Sequence, residues 1–171
     1  MELLIPGLIL VALMIWASTR IKKNAAAAFD AETVDTEQFV IRKPEGFLHV
    51  LNDDSGLAFR SYSKEFGKVG NKDVRRATIE IEKHADTKLD TLKTQVETAE
   101  EIESFEAYKD ADEKAAWMYS KNIVDGGEYK VIRKLVTRGN TVWEVRGAVL
   151  MDDQDDVSQE IEAVLESAQV K

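Results

Sequence analysis

The sequence predicts an α+β fold: an antiparallel sheet with two packed helices, preceded by a single N-terminal transmembrane helix. An uncharged apolar run opens the chain, and runs of strand-like alternation follow it, separated by two segments with helical periodicity. Strands grouped in runs, rather than alternating singly with helices, favour an antiparallel sheet. We therefore divide the chain into a transmembrane anchor with a basic flank (1–23), a helical and acidic tether (24–38) and a soluble α+β domain (39–171).

The anchor is predicted from residues 3–19, which carry no charge and include nine Leu, Ile or Val among seventeen residues. As a helix, this run is about 26 Å long at about 1.5 Å per residue, which is the short end of a transmembrane span. The side chains predicted to face lipid are Leu3, Leu4, Ile5, Leu8, Ile9, Leu10, Val11, Leu13, Met14, Ile15 and Trp16.

A cleaved signal peptide is the competing interpretation of the same run. Such a peptide has a positive n-region and small residues at its cleavage site. Here only two residues precede the run, and three cations separate it from the alanines at 25–28. We therefore expect an uncleaved anchor.

The expected topology follows from the three cations on the C-terminal side of the run, Arg20, Lys22 and Lys23. The positive-inside rule places this flank in the cytoplasm. The prediction is a single-pass protein of the inner or plasma membrane, with its N-terminus outside and its domain in the cytoplasm. A domain on the non-cytoplasmic side is the alternative.

The first half of the domain is predicted element by element. After the alanine-rich Asn24–Phe29 and the polar Asp30–Gln38, short strands ended by turn signals are predicted at 39–41, 47–51 and 57–62. A polar loop is expected at Gly67–Asp73. Ala77, Ile79 and Ile81 then alternate with polar residues, which predicts a half-buried strand.

Two helices and a three-stranded meander make up the second half. Leu89, Leu92, Val96 and Ala99 share one helical face, with Ile102 at the end and Thr87-x-x-Asp90 as a capping box. An acidic connection is expected at 103–114, then strands at 115–124, 128–137 and 141–151 joined by tight turns. A last helix is predicted from about 153 to 169, its apolar face formed by Val157, Ile161, Val164, Leu165 and Ala168.

This order of elements resembles the PsbP-like sandwich, the fold of an extrinsic photosystem II subunit and of a Ran-binding import factor. The resemblance is carried by the opening strand and Pro-x-Gly-aromatic turn of Phe39–Phe47, by the helix with Leu89 and Leu92, by the meander through Trp143 and by the final helix with Ser167. It covers most of 39–170. Because members of this fold are mostly accessory or binding proteins, the resemblance implies a role other than catalysis.

Composition excludes several classes of function. The chain has 23 Lys and Arg against 32 Asp and Glu, a net charge of −9 and a pI of about 4.8, so a basic surface for nucleic acid is not expected. The absence of cysteine excludes thiolate nucleophiles, zinc–thiolate sites and iron–sulfur clusters. We expect no cofactor and no resident metal, and the sequence is silent on a small-molecule ligand.

Several residues are of types that can act in catalysis or bind a metal, but each also has a purely structural interpretation. His49 and His84 could act as bases or ligands, or be ordinary histidines. The acidic run Met151–Asp156 could hold Ca²⁺ or Mg²⁺, although it lacks EF-hand spacing and fits a helix N-terminus better. Ser61 and Ser63 lack a nucleophile elbow, and Gly126-Gly127 is a turn rather than a phosphate loop.

Two further sets of residues could bind partners. The small basic spots Arg75-Arg76, Arg133-Lys134 and Arg138 could receive a headgroup or an acidic partner, or be solvated strand edges. The aromatic residues Trp117, Tyr119, Tyr129 and Trp143 could line an apolar binding face, or be core residues beneath the helices.

The function expected from these observations is a membrane-anchored, non-enzymatic interaction module, such as an accessory subunit of a membrane protein complex. Removing the three flanking cations and Glu2 from the net charge of −9 leaves −11 on residues 24–171. An anionic leaflet repels such a domain, so the anchor must hold it there. Its expected partners are the lipid bilayer and one or more proteins. A tethered small-molecule or lipid-binding domain is the alternative.

Overall fold

The computed structural model describes residues 4–51, 53–110, 113–151 and 156–171. In these residues the helices are α1 (Leu4–Ala27), α2 (Leu89–Ala99) and α3 (Asp156–Ser167). The strands are β1 (Glu32–Asp35), β2 (Phe39–Lys43), β3 (Phe47–His49), β4 (Phe59–Ser63), β5 (Phe66–Val69), β6 (Lys72–Arg75), β7 (Ala77–Ala85), β8 (Glu101–Asp110), β9 (Glu113–Val124), β10 (Gly127–Arg138), β11 (Thr141–Leu150) and β12 (Gln169–Val170).

A seven-stranded antiparallel sheet forms the centre of the domain, in the order β3-β4-β7-β11-β10-β9-β8. A second sheet, β1-β2-β12, joins the first strands to the last residues of the chain, and β5 and β6 form a separate hairpin. The predicted α+β class, antiparallel pairing and two helices packed on the sheet are confirmed.

The face of the large sheet that packs against α3, here called the α3 face, holds the main core. Strand side chains alternate between faces, and Trp143, Val145 and Val149 of β11 point to this side together with Ile161 and Leu165 of α3. Phe39 of the small sheet packs here too, with its ring centroid 6.4 Å from that of Trp143. The predicted apolar face of the last helix is therefore buried as expected.

The opposite face, here called the α2 face, is covered by α2 at one end only. Leu89, Leu92 and Val96 pack on a smaller cluster that includes Met118 and Leu135. The helix begins one residue later than the predicted capping box implies. Its N-cap is Lys88, which makes no side-chain capping bond.

Two predicted loops are strands. The segment expected to be a polar loop at 67–73 is the β5–β6 hairpin, and its turn contains Gly70 with a φ of +58°. The acidic connection expected at 103–114 contains the edge strand β8. A register shift between Ile102 and Ser104 puts Ile102 and Phe105 on the same face. In the sequence, two apolar residues three positions apart are typical of a helix, so the alternation expected of a strand is not visible here.

The segment assigned to the tether also contains ordered structure. Strand β1 lies within it and pairs with β2. Lys43 of β2 is fully buried, and its ammonium donates to the carbonyls of Ala28, Asp30 and Phe47. The end of the first helix is therefore bonded directly to the domain. Residues 153–155, where the last helix was predicted to begin, lie outside the described residues.

Helix α1 precedes the domain and contains most of the predicted anchor. The structure does not support the prediction of a transmembrane helix: in the described residues no helix combines the length and apolarity needed to cross a bilayer. The apolar side chains of α1 that the structure describes, from Ile9 onward, are nevertheless not packed into the core. The exposed ones are Ile9, Leu10, Val11, Leu13, Met14, Ile15, Trp16 and Ile21.

Candidate functional site

The candidate site lies on the α2 face, at the C-terminal end of α2 and on the strands beyond it. Every second residue of the neighbouring strands points to this side, and here many of these residues are polar rather than apolar. The polar side chains on this part of the face are Glu80, Glu82 and His84 of β7, Ser120 and Asn122 of β9, Arg133 of β10, and Glu144 and Arg146 of β11.

Arg133 is the centre of a buried ionic network. Its guanidinium donates from Nε to Glu144 at 2.7 Å and from Nη1 and Nη2 to the two oxygens of Glu100 at 2.8 and 2.6 Å. Nη1 also donates to Ser120 at 2.7 Å. The side chains of Arg133, Glu100 and Glu144 are only 3%, 6% and 8% exposed. One buried cation therefore lies between two buried carboxylates.

The network keeps both carboxylates ionised. Burial by itself raises the pKa of a carboxyl group. Hydrogen bonds from Arg133 and Ser120 outweigh burial at Glu100, and the pKa of Glu100 is lowered. Bonds from His84 and the charge of Arg133 do the same at Glu144, whose pKa is also lowered.

His84 extends the network towards the surface. Its Nε2 lies 2.9 Å from Oε2 of Glu144, and its Nδ1 lies 3.9 Å from Oε1 of Glu82. The hydrogen bond with Glu144 raises the pKa of His84, against an opposing effect of burial. Glu82, His84 and Glu144 present three ligand atoms within 4.8 Å of one another. In the described part of the chain, this is the group of residues able to hold a metal ion.

A groove of about 220 Å³ lies beyond this network on the same face. Val124, Tyr129, Val131 and Ala148 form its apolar wall, and Arg75 and Arg146 provide its charge. Nε of Arg146 is buried and makes no hydrogen bond to the described residues. The nearest contact of Arg146 with a carboxylate is from Nη1 to Glu80, at 3.6 Å.

Exposed apolar side chains surround the end of this groove. The Arg75 guanidinium stacks over the ring of Phe66, 4.1 Å from its centroid, and Phe66 is 55% exposed. Val124 at the tip of β9, which lines the groove, is 48% exposed. Apolar residues at this exposure around a charged groove are typical of a surface that another molecule covers.

A wider cleft of about 380 Å³ lies on the other side of the domain, between α3 and the chain leaving β2. Glu45 and Glu160 both line it. Burial and the neighbouring carboxylates Glu45 and Glu65 raise the pKa of Glu160. Two carboxylates at this cleft disfavour an anion, although Arg42 lines it as well.

The sequence candidates for catalysis do not converge. Ser61 lies directly opposite His49 in the β3–β4 register. Its hydroxyl is buried, however, and makes no hydrogen bond to any described residue. Ser63 donates to the carbonyl of Glu65 instead. His49 packs on Phe59, with ring centroids 4.8 Å apart.

The basic spots are not the solvated edges that the structural interpretation expects. Arg133 is the buried centre of the network, and Arg76 is also buried. Lys134 points to the α3 face, where it donates to the carbonyls of Glu166 and Ala168 at the end of α3. Arg138 is bound near the surface, to Asp110 at 2.6 Å, and the half-buried Arg75 donates to the carbonyls of Ser63 and Lys64.

The remaining candidates separate by face. Trp117, Tyr119 and Trp143 lie on the α3 face, where the Tyr119 hydroxyl donates to Glu162 of α3, while Tyr129 lines the groove on the other face. A shared aromatic binding face is therefore absent among these four residues.

The turn prediction at 125–127 is confirmed by positive φ at Asp125 and Gly126. Residues 152–155 of the acidic run are outside the described residues.

Sequence reasoning missed the partners of Arg133. Glu100 lies at the C-cap of α2, and no spacing rule connects it with β10. Glu144 could have been found from the sequence. When residues are counted back from the Gly139-Asn140 turn, the hairpin register pairs Leu135 with Glu144. Arg133 then lies diagonal to Glu144 on the same face of the sheet.

Comparisons with known proteins bear on the fold. No family model and no curated protein matches the sequence. Among solved structures, the solution structure of cyanobacterial PsbP (CyanoP) from Synechocystis sp. PCC 6803 is 14% identical. It has a TM-score of 0.57, and the match covers 84% of this chain and 94% of that one.

The domain has the PsbP-like fold. LpqN of Mycobacterium tuberculosis, described as involved in cell envelope biogenesis, is 13% identical with a TM-score of 0.58, and the match covers 83% of this chain and 91% of that one. The Ran-binding protein Mog1p of Saccharomyces cerevisiae is 9% identical with a TM-score of 0.52, and the match covers 83% of this chain and 96% of that one. The resemblance in the sequence is confirmed for the fold, and at these identities it extends no further.

Proposed function

We propose that this PsbP-like domain is a non-enzymatic interaction module, held at a membrane by α1, that docks a segment of a protein partner in the groove beside Arg146. The observation that carries this proposal is the combination of a small, charged groove and exposed apolar residues around it. The fold supports an interaction role, since Mog1p, with the same fold, binds Ran.

The size of the groove favours a protein segment over a small molecule. Ligand pockets usually have volumes of roughly 300–1,000 Å³ and enclose their ligand, whereas this groove offers about 220 Å³ and is open. One or two side chains of a partner fill such a space. The exposed Phe66 and Val124 then contact the flanking residues of the same segment.

The charge of the groove indicates the chemistry of the partner. Arg146 has a buried Nε without a bond to the described residues, so a carboxylate in the groove gains a charge-assisted hydrogen bond. The net negative charge of the domain opposes an acidic partner at long range, but salt screens this repulsion beyond about 8 Å. We infer a segment with one acidic residue next to apolar residues.

Membrane attachment through α1 is the second part of the proposal. It is supported by the uncharged run at 3–19 and by the exposure of its apolar side chains. Each large apolar side chain described between Ile9 and Trp16 is 52% to 63% exposed. Apolar side chains exposed on all sides of a helix require an apolar environment. By the positive-inside rule, the basic flank favours an orientation with the domain in the cytoplasm.

Attachment is tested by extracting membranes with alkaline carbonate. We expect the full-length chain to stay in the membrane pellet and a chain beginning at residue 24 to be released. A reporter fused after Lys171 should be active only on the cytoplasmic side. Release of the intact chain, or trimming near residue 27, would contradict the anchor. Activity on the other side would contradict the orientation alone.

Docking is tested by photo-crosslinking in intact membranes. A photoreactive phenylalanine at Val124 should give a discrete protein adduct, whereas the same group at the exposed Gln95 of α2 should not. Arg146→Glu should lower the yield about tenfold, because the groove then repels the carboxylate of the partner. Arg42→Glu, at an exposed position of β2, is the matched control. A lipid or metabolite adduct instead of a protein would favour a ligand-binding domain.

A further inference from the structure

Strand pairing places two carboxylates and an imidazole together on the open face. Glu82 of β7 is directly opposite Glu144 of β11 in the register, and His84 lies two residues further along β7 on the same side. Like charges opposite each other on adjacent strands repel. This pair therefore needs a cation between the two strands.

Nearby positive charges offset the negative charge of this pair only in part. Arg133 is positive, but Glu100 binds it through two hydrogen bonds. With a neutral His84, the charges of Glu100, Arg133, Glu144 and Glu82 sum to −2. The charge of Arg146 also acts on Glu100, but its Nη1 lies 3.6 Å from Glu80, which Arg60 binds at 3.1 Å. One divalent cation would make the group neutral.

We propose that Glu82, His84 and Glu144 form a binding site for a zinc-class divalent cation. The ligand atoms already lie within 4.8 Å of one another. A tetrahedral zinc ion with ligands at about 2.0–2.2 Å places them roughly 3.4 Å apart, so Glu82 must approach while Nε2 of His84 and Oε2 of Glu144, now 2.9 Å apart, separate slightly. Glu82 can make this movement because its side chain is 51% exposed. Solvent on that side supplies water for the fourth position.

The donor set selects the class of metal. An imidazole favours zinc and its neighbours among the transition metals over magnesium or calcium. Calcium takes six to eight oxygen ligands, and three protein groups that include a nitrogen satisfy it poorly.

Arg133 acts as a positioning residue for this site. It holds Oε1 of Glu144 at 2.7 Å, which leaves Oε2 directed at His84 and the metal position. Such supporting hydrogen bonds orient carboxylate ligands and commonly change metal affinity by about 10–100-fold. A proton on the ligating nitrogen of His84 excludes a metal ion from that atom, so the metal and the proton compete for it.

The test is a calorimetric titration of the purified full-length chain in detergent with zinc chloride. At pH 7.5 we expect saturable binding of one ion per chain. Lowering the pH to 5.5 should weaken it, because protons then compete with the metal for the ligand atoms. His84→Ala and Glu82→Gln should each lower the affinity at least tenfold, and an excess of calcium should not displace the zinc.

His49→Ala is the matched control, since His49 is the other histidine of the chain and lies outside the cluster. It should leave the zinc affinity unchanged. X-ray absorption should show a first shell of nitrogen or oxygen atoms and the outer-shell scattering of one imidazole ring. Binding that does not saturate would overturn the proposal, as would binding that the His84 and Glu82 variants leave intact. Because Glu82 and His84 are partly exposed, failure of these variants to fold is not expected. Circular dichroism checks this point.

Discussion

Replacement of Arg133 by methionine is expected to lower the free energy of unfolding by about 3–5 kcal/mol. The substitution keeps the length of the side chain but leaves Glu100 and Glu144 buried without their cation. Removal of one partner from a buried ion pair costs this much because the remaining charge is uncompensated. Urea unfolding at neutral pH measures the loss.

The dependence on pH distinguishes this mechanism from a simple packing defect. In the wild-type protein the pKa values of Glu100 and Glu144 are lowered. Their contribution to stability is therefore present above the ordinary carboxyl pKa and is lost as the pH falls through the lowered values. In the Arg133→Met protein this contribution is missing. The difference between the two proteins should be large at neutral pH and shrink in acid.

Two control proteins make this prediction sharper. Arg146→Met removes an arginine from the adjacent strand, but that side chain is 33% exposed, so the loss should be about 1 kcal/mol or less. Replacing Arg133, Glu100 and Glu144 together by apolar residues should recover most of the stability. A loss in Arg133→Met that does not depend on pH would show that packing, rather than unpaired charge, is responsible.

The second large effect is expected for Gly147→Val. A Cβ atom at this position of β11 would lie 2.1 Å from Cγ2 of Ile161 on α3. The glycine lets the helix pack closely on the sheet, and neither backbone can move without disturbing the core. We expect a loss of about 3 kcal/mol, at the upper end of the usual range for overpacking, measured by urea unfolding.

A double-mutant cycle with Ile161→Ala tests the contact itself. Ile161→Ala alone should cost about 2–5 kcal/mol through the cavity it leaves. The double variant should be more stable than the sum of the two losses predicts, because the valine side chain occupies the vacated space. Additive losses would show that Gly147 is needed for a reason other than this contact.

Much of the fold could be predicted because it depends on local patterns. The alternation of Ala77, Ile79 and Ile81, the positive-φ turn at Asp125 and Gly126, and the helical spacing of Leu89 and Leu92 are each determined within a few residues. The errors fall where local patterns mislead. Strand β8 carries charge because it lies at the edge of the sheet, and its register shift imitates helical spacing.

The candidate site was only partly predictable. The strand pattern places His84 on the polar side of β7, and the pairing of β11 with β7 brings Glu144 to within 2.9 Å of it. These two residues are 60 positions apart in the chain. A single sequence does not state which strands are neighbours, so it cannot show which charges will be paired.

The sequence by itself determined the class of the fold, the absence of thiol chemistry, the acidic charge and the apolar N-terminal run, because these are properties of composition and short-range periodicity. The tertiary structure alone decided that Arg133 is buried rather than solvated and that Glu82, His84 and Glu144 converge. It also decided that an open groove lies beside Arg146. Each of these depends on strand order and on how far α2 extends over the sheet, since burial and charge pairing arise from contacts between distant parts of the chain.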